Sequence, residues 1–130
     1  CAPEFAARIR EPADLYDFAL IGSEHKRVRW NAWFAANDLS PPSPRGSRFD
    51  RSFMAIGAAV DGMGIALESM RLAERELESG QLVAPLRGKA QDITYIGHYL
   101  VFSPQAKRRQ AVRMFASWLA RELALPAFQF

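Results

Sequence analysis

Residues Phe49–Glu68 read FDRSFMAIGAAVDGMGIALE, and the order of signals within them decides the fold. The stretch reads as the end of a strand, a helix, a glycine turn and a second strand. Asp50 and Ser52 stand at the helix start, where short oxygen-bearing side chains accept hydrogen bonds from unpaired backbone N–H groups. Phe53, Ile56, Gly57 and Val60 follow at i, i+3, i+4 and i+7 and predict one apolar stripe. Gly62 sits where helices end in a left-handed residue, and Gly64 lets the chain turn into Ile65-Ala66-Leu67. On this reading the helix N-terminus and the start of the next strand point at one place. Partial positive charge and free N–H donors suit that place to an anion or a polar small molecule. Gly62-Met63-Gly64 is not a dinucleotide fingerprint, because that motif follows a strand and opens a helix.

Working outward, the N-terminal side supplies short elements. Ala2-Pro3-Glu4-Phe5 reads as a strand end running into a short helix with proline in its first turn. Phe5, Ala6 and Ile9 are expected to face inward. Pro12–Leu15 predicts another helical turn, Phe18–Ile21 a short strand and Gly22–Lys26 a loop. Residues 28–38 predict a helix whose Trp30, Trp33, Phe34 and Asn37 share a face, read as core. Ser40–Gly46 contains three prolines and is a loop. Arg48-Phe49 is the strand feeding the central helix.

On the C-terminal side, Met70–Leu77 predicts a short helix and Leu82–Leu86 a short strand with a proline that marks an edge. Arg87–Asp92 is a polar loop. Ile93–Phe102 is expected to be the longest strand, apolar on both faces as a sheet covered on both sides requires. Arg109–Leu125 predicts the longest helix, with Val112, Phe115, Ala116, Leu119 and Leu123 in one stripe that Met114 and Trp118 widen. Strands alternating with helices through short loops predict an α/β domain with a largely parallel sheet. Ligands in such sheets bind at the carboxyl ends of strands.

Composition narrows the function classes. At 130 residues, 49% hydrophobic and 24% charged, the chain predicts one ordinary soluble domain. The net charge of +3 is scattered, apart from Lys107-Arg108-Arg109, read as a solvated helix end. There is no Lys/Arg stripe with interleaved aromatics of the kind that grips nucleic acid. The single cysteine, Cys1, excludes an internal disulfide and fits a reducing compartment. No apolar run approaches the roughly 18 residues of a membrane span, and no signal-peptide pattern is present. A first residue of Cys in place of Met suggests a cut chain, with a lipidated cysteine as the less favoured alternative.

Tests for chemistry come out negative. His25 and His98 have no cysteine or acid at zinc spacing, so no metal is expected, and His98 reads as an interior strand histidine. No nucleophile elbow or phosphate loop occurs. Ser52, His98 and Asp50 could be drawn as a triad, and Glu24 and Glu68 as paired carboxylates, but no spacing fixes either set. The expectation is a non-enzyme without cofactor.

An ordered series of short motifs goes further. It runs Cys1-Ala2-Pro3-Glu4-Phe5, Pro12-Ala13-Asp14-Leu15, Trp30-Asn31-Ala32-Trp33-Phe34, Phe49-Asp50-Arg51-Ser52, residues 58–67 AAVDGMGIAL, residues 77–83 LESGQLV, Tyr99-Leu100-Val101 and residues 115–119 FASWL. The series resembles the later part of the effector-binding domain of LysR-type transcriptional regulators. It looks most like the branch holding the glycine-cleavage activator and the β-lactamase regulator. The resemblance implies a Rossmann-like lobe of a type II periplasmic-binding-protein fold, with a mixed, mostly parallel sheet and helices on both faces. Residues 3–98 would form lobe II. Residues 99–130 would be the returning strand and helix of lobe I.

The resemblance further implies a cytoplasmic protein, off the membrane, working as a dimer or tetramer. It would reach DNA only through an N-terminal winged helix-turn-helix. A small anionic or amphipathic effector would bind between the lobes and shift the oligomer on DNA. Carried over position by position, the effector-binding candidates are Asp50, Ser52, Gly64, Ile65 and Tyr99, together with Ala2. Many members carry Ser at the Ala2 position, so any effector that used that hydroxyl is in doubt. The competing readings are a transporter's solute-binding protein, which shares the fold, and a small hydrolase using Ser52.

Overall fold

The computed structural model describes residues 1–43, 45–126 and 128. The chain divides into two units, Cys1–Thr94 and Tyr95–Phe130. In the first unit the elements are α1 (Pro3–Ala6), a 3-10 turn (Pro12–Asp17), β1 (Leu20–Ser23), α2 (Trp30–Ala36), β2 (Arg48–Phe49), α3 (Ser52–Val60), β3 (Ile65–Ala66) and α4 (Glu74–Glu78). The second holds a 3-10 turn (Ala106–Arg108) and α5 (Gln110–Glu122).

Three strands form one parallel sheet in the order β2-β1-β3. Gly22 and Ser23 pair with Arg48 and Phe49 on one side, and Leu20 and Ile21 pair with Ile65 and Ala66 on the other. The alternation of a strand's side chains splits the core in two. Leu20 and Ile65 join Ile9, Leu15, Trp33 and Phe34 on the face covered by α2. Ile21 joins Ala55, Ile56, Ala58 and Ala59 on the face covered by α3. The α/β architecture expected from the order of elements is therefore present, with helices on both faces of the sheet.

The buried face of α3 differs from the predicted stripe. Phe53 is 73% exposed and Gly57 is exposed, whereas Ala55 and Ala59 are completely buried. Small side chains let the helix backbone approach β1 closely, and that approach sets the helix rotation more than the bulk of Phe53 does. The predicted end of α3 is observed. Met63 N–H bonds to the Ala58 carbonyl at 2.9 Å and Gly62 N–H to Ala59 at 3.2 Å, a Schellman closure with Gly62 at φ 72°.

Other boundaries moved. The first strand extends through Ser23, into residues expected to be loop, because Gly22 N–H bonds to the Ser47 carbonyl and Glu24 N–H to Phe49. Residues 82–86 make no strand. Leu82 N–H bonds to the Glu76 carbonyl of α4 at 2.9 Å, and Val83 exchanges backbone bonds with Cys1 at 2.8 and 3.0 Å. Ile93–Phe102, expected to be the longest strand, has no regular structure. Ile96, Tyr99 and Val101 are 66%, 67% and 84% exposed, and His98 is exposed rather than interior. Apolar pattern alone makes no strand; a continuous ladder for the backbone is also needed, and none forms along this segment among the described residues. On α5 only Ala116 and Ala120 are buried, while Met114, Phe115 and Trp118 stand exposed.

Candidate functional site

Because the three strands are parallel, their exits gather at one edge of the sheet. Glu24 to Lys26 follow β1, Asp50 and Arg51 lead from β2 into α3, and Leu67 and Glu68 follow β3. Ser52 is the first residue of α3 and is half-buried. No side chain caps this helix; Met54 N–H bonds to the Arg51 carbonyl at 3.1 Å, which leaves the N–H groups of Ser52 and Phe53 as the ones facing the edge. Asp50, expected to be the cap, is turned away. Its carboxylate takes His25 Nε2 at 3.0 Å and lies 3.5 Å from Arg51 Nε, all three groups being exposed.

A buried ion pair underlies the edge. The Lys26 ammonium sits 3.3 Å from Glu68 Oε1 and donates to the Leu67 carbonyl, with both side chains less than a tenth exposed. Burial lowers the Lys26 pKa from 10.5, and the charge and hydrogen bond of Glu68 oppose the shift. Glu24 pairs with Arg48. Glu24 and Glu68 are thus each committed to a cation and form no carboxylate pair. Sequence reading missed both the Lys26–Glu68 and the His25–Asp50 contacts. They span 42 and 25 positions, and no local spacing signals them.

Beside the exit of β3 lies a cavity of about 330 Å³. Its walls include Trp30, Trp33, Leu67, Met70 and Leu82, with Cys1 and Val83 at one side. The Trp30 indole N–H is satisfied by the Ile21 carbonyl at 2.9 Å, which leaves its ring as apolar wall. A cavity of this size and lining suits the apolar part of a small molecule.

The candidate residues do not all meet. Asp50 and Ser52 lie at the edge where strands exit. Gly64 and Ile65 lie at the opposite edge, where β3 begins, because α3 runs back across the sheet between them. The single place expected for both is therefore two places. Gly64 is wedged against the Ala19 carbonyl, and Ile65 is 6% exposed in the core. Ala2 is buried and leads into α1, its carbonyl accepting from Phe5 N–H at 3.1 Å. Tyr99 belongs to the second unit and is 67% exposed. Among the described residues, Ser52 bonds to neither histidine, and no group of three His, Cys, Asp or Glu side chains could hold a metal. No helix among them is long and apolar enough to cross a membrane.

Comparison with known proteins gives this geometry its setting. Residues 1–124 match the family model of the LysR substrate binding domain. The chain is 50% identical over 125 residues to the HTH-type transcriptional regulator PerR of Escherichia coli, covering 96% of this chain and 42% of that protein. It is 53% identical over 122 residues to the HTH-type regulator y4mQ of Sinorhizobium fredii, covering 94% of this chain and 41% of that protein. Among solved structures, the AmpR effector binding domain of Citrobacter freundii superposes with TM-score 0.69 at 28% identity, over 95% of this chain and 61% of that one. The chain thus spans about two-fifths of the length of these curated relatives. They are transcriptional regulators, which weighs against both the transporter receptor and the hydrolase. The chain belongs to the LysR substrate-binding domain family, the effector-binding part of LysR-type transcriptional regulators.

Proposed function

We propose that this chain senses a small anionic or amphipathic effector at the edge where its parallel strands exit, without chemistry. The observation that carries the reading is the uncapped start of α3 at that edge, with the Ser52 hydroxyl beside its N–H groups. Such a terminus accepts a carboxylate or carbonyl oxygen, and the neighbouring apolar cavity receives the rest of the molecule. Asp50, held by His25, sets the local charge. Tyr99 and Ala2, and the assignment of residues 3–98 to lobe II and 99–130 to lobe I, enter this reading from the family resemblance alone. Gly64 serves the site indirectly, by fixing where β3 and hence Leu67 and Glu68 begin. In the whole regulator, a cytoplasmic homo-oligomer, effector binding changes the grip of a separate winged helix-turn-helix on DNA.

The test is a thermal-shift screen of the chain against small carboxylates with and without apolar tails, followed by calorimetry on the hits. Ser52→Ala is expected to weaken the best hit about tenfold, the loss of one hydrogen bond to a charged group. Unchanged affinity in Ser52→Ala would remove α3 from the site.

A further inference from the structure

We infer that Asn37 is a positioning residue for the effector, because its side chain fixes one wall of the apolar cavity against another. The role rests on the proposed function, in which the cavity beside the exit of β3 receives the apolar part of the molecule. One wall of that cavity is α2, through Trp30 and Trp33. Another is the stretch 83–90, which has neither helix nor strand and contributes Val83, Ala84, Leu86 and Ala90.

Val83, Leu86 and Ala90 pack against the core cluster that holds Trp33. Apolar packing is non-directional, so by itself it leaves such a wall free to slide. Directional bonds fix its place. At its start Val83 exchanges backbone bonds with Cys1. Within it, Lys89 N–H reaches the Leu86 carbonyl at 2.9 Å and makes a local turn. Just past its far end, the Asn37 carboxamide oxygen accepts from Gln91 N–H at 2.7 Å, and Asn37 Nδ2 donates to the Gln91 carbonyl at 3.3 Å. The carboxamide thus meets Gln91 as a neighbouring strand would, with one acceptor and one donor. The same Nδ2 donates to the Trp33 carbonyl at 2.9 Å. One side chain therefore ties the residue after Ala90 to the backbone of a cavity-lining tryptophan, across 54 positions. Asn37 continues the face that carries Trp30, Trp33 and Phe34; an aliphatic residue there would extend the core but could make none of these bonds. Gln91 is exposed, so removing the clamp lets its N–H and carbonyl meet water, and the wall loosens while the fold persists.

The experiment is an NMR titration of the chain with acetate and with octanoate, which share a carboxylate and differ in the apolar tail. The wild type should bind octanoate more tightly. Asn37→Ala should weaken octanoate about tenfold, the contribution of roughly two buried methylene groups, and leave acetate unchanged. A general loss of structure would weaken both acids. Ala84→Leu, which fills the cavity from the same wall and spares the clamp, should also weaken octanoate alone. Ser52→Ala should weaken both acids alike. If Ser52→Ala weakens neither while Asn37→Ala still weakens octanoate, α3 leaves the site and the role of Asn37 stands. That role is overturned if octanoate binds the wild type no more tightly than acetate, if Asn37→Ala leaves the ratio of the two affinities unchanged, or if Ala84→Leu spares octanoate.

Discussion

Gly64 shows how a single residue governs the sheet. Its φ is 148°, and a Cβ there would sit 2.3 Å from the Ala19 carbonyl oxygen. The absence of a side chain is what lets β3 start beside β1. Gly64→Ala should therefore lose roughly 3 kcal/mol of stability in urea denaturation. Gly57→Ala provides the contrast, since Gly57 is helical and a Cβ there meets nothing within 4 Å. That change should gain about 0.5–1 kcal/mol. Equal effects of the two would refute the packing argument. Lys26 governs the edge in a different way. Lys26→Met leaves the Glu68 carboxylate buried alone and should cost about 3–5 kcal/mol, most of it recovered by adding Glu68→Gln. The pH dependence has a definite sign. Burial lowers the folded Lys26 pKa from 10.5, so the unfolded chain holds this proton longer. The Lys26 contribution therefore grows as pH rises through the window that ends at 10.5. Denaturation of the wild type and of Lys26→Arg, whose guanidinium stays charged to about pH 12, measures that difference.

At the scale of the element, α3 combines a well-closed end with an open beginning. Gly62 and Met63 satisfy the carbonyls of the last turn, while Arg51 stands at the N-cap and supplies no side-chain acceptor. A surface helix selected for stability alone would carry Ser, Thr, Asp or Asn there. Arg51→Ser should raise stability by about 1 kcal/mol, seen as a Tm higher by several degrees. The same hydroxyl would occupy the N–H groups that the proposed site offers to an effector. Carboxylate affinity should fall in the same variant, a trade of stability against binding. A rise in both would show that the open terminus is not where the effector binds.

At the scale of the whole molecule, the two units meet the solvent differently. In Cys1–Thr94 large apolar side chains are buried on both faces of the sheet, whereas residues 95–101 carry exposed Ile96, Tyr99 and Val101 without regular structure. Proteases cut where the chain is exposed and lacks regular structure. Brief chymotrypsin treatment should cleave first after Tyr95, Tyr99 or Leu100 and leave a resistant fragment ending near Thr94, read by mass spectrometry. First cleavage at Phe34 or Trp33, which are 0% and 6% exposed, would contradict the division.

The α/β class, the glycine stop after α3, the aromatic core of Trp33 and Phe34 and the family resemblance were all legible in the residues. Each depends on local spacing or residue type, which a chain carries into any surroundings. What only the tertiary structure decided depends on partners distant in sequence. Parallel pairing sent Gly64 and Ile65 to the opposite edge from Ser52. Close approach to β1 turned alanines inward and Phe53 outward. Glu68 found Lys26 across 42 positions, and residues 93–102, apolar enough for a strand, found no ladder. Periodicity says which side chains could be buried; only packing and backbone pairing say against what.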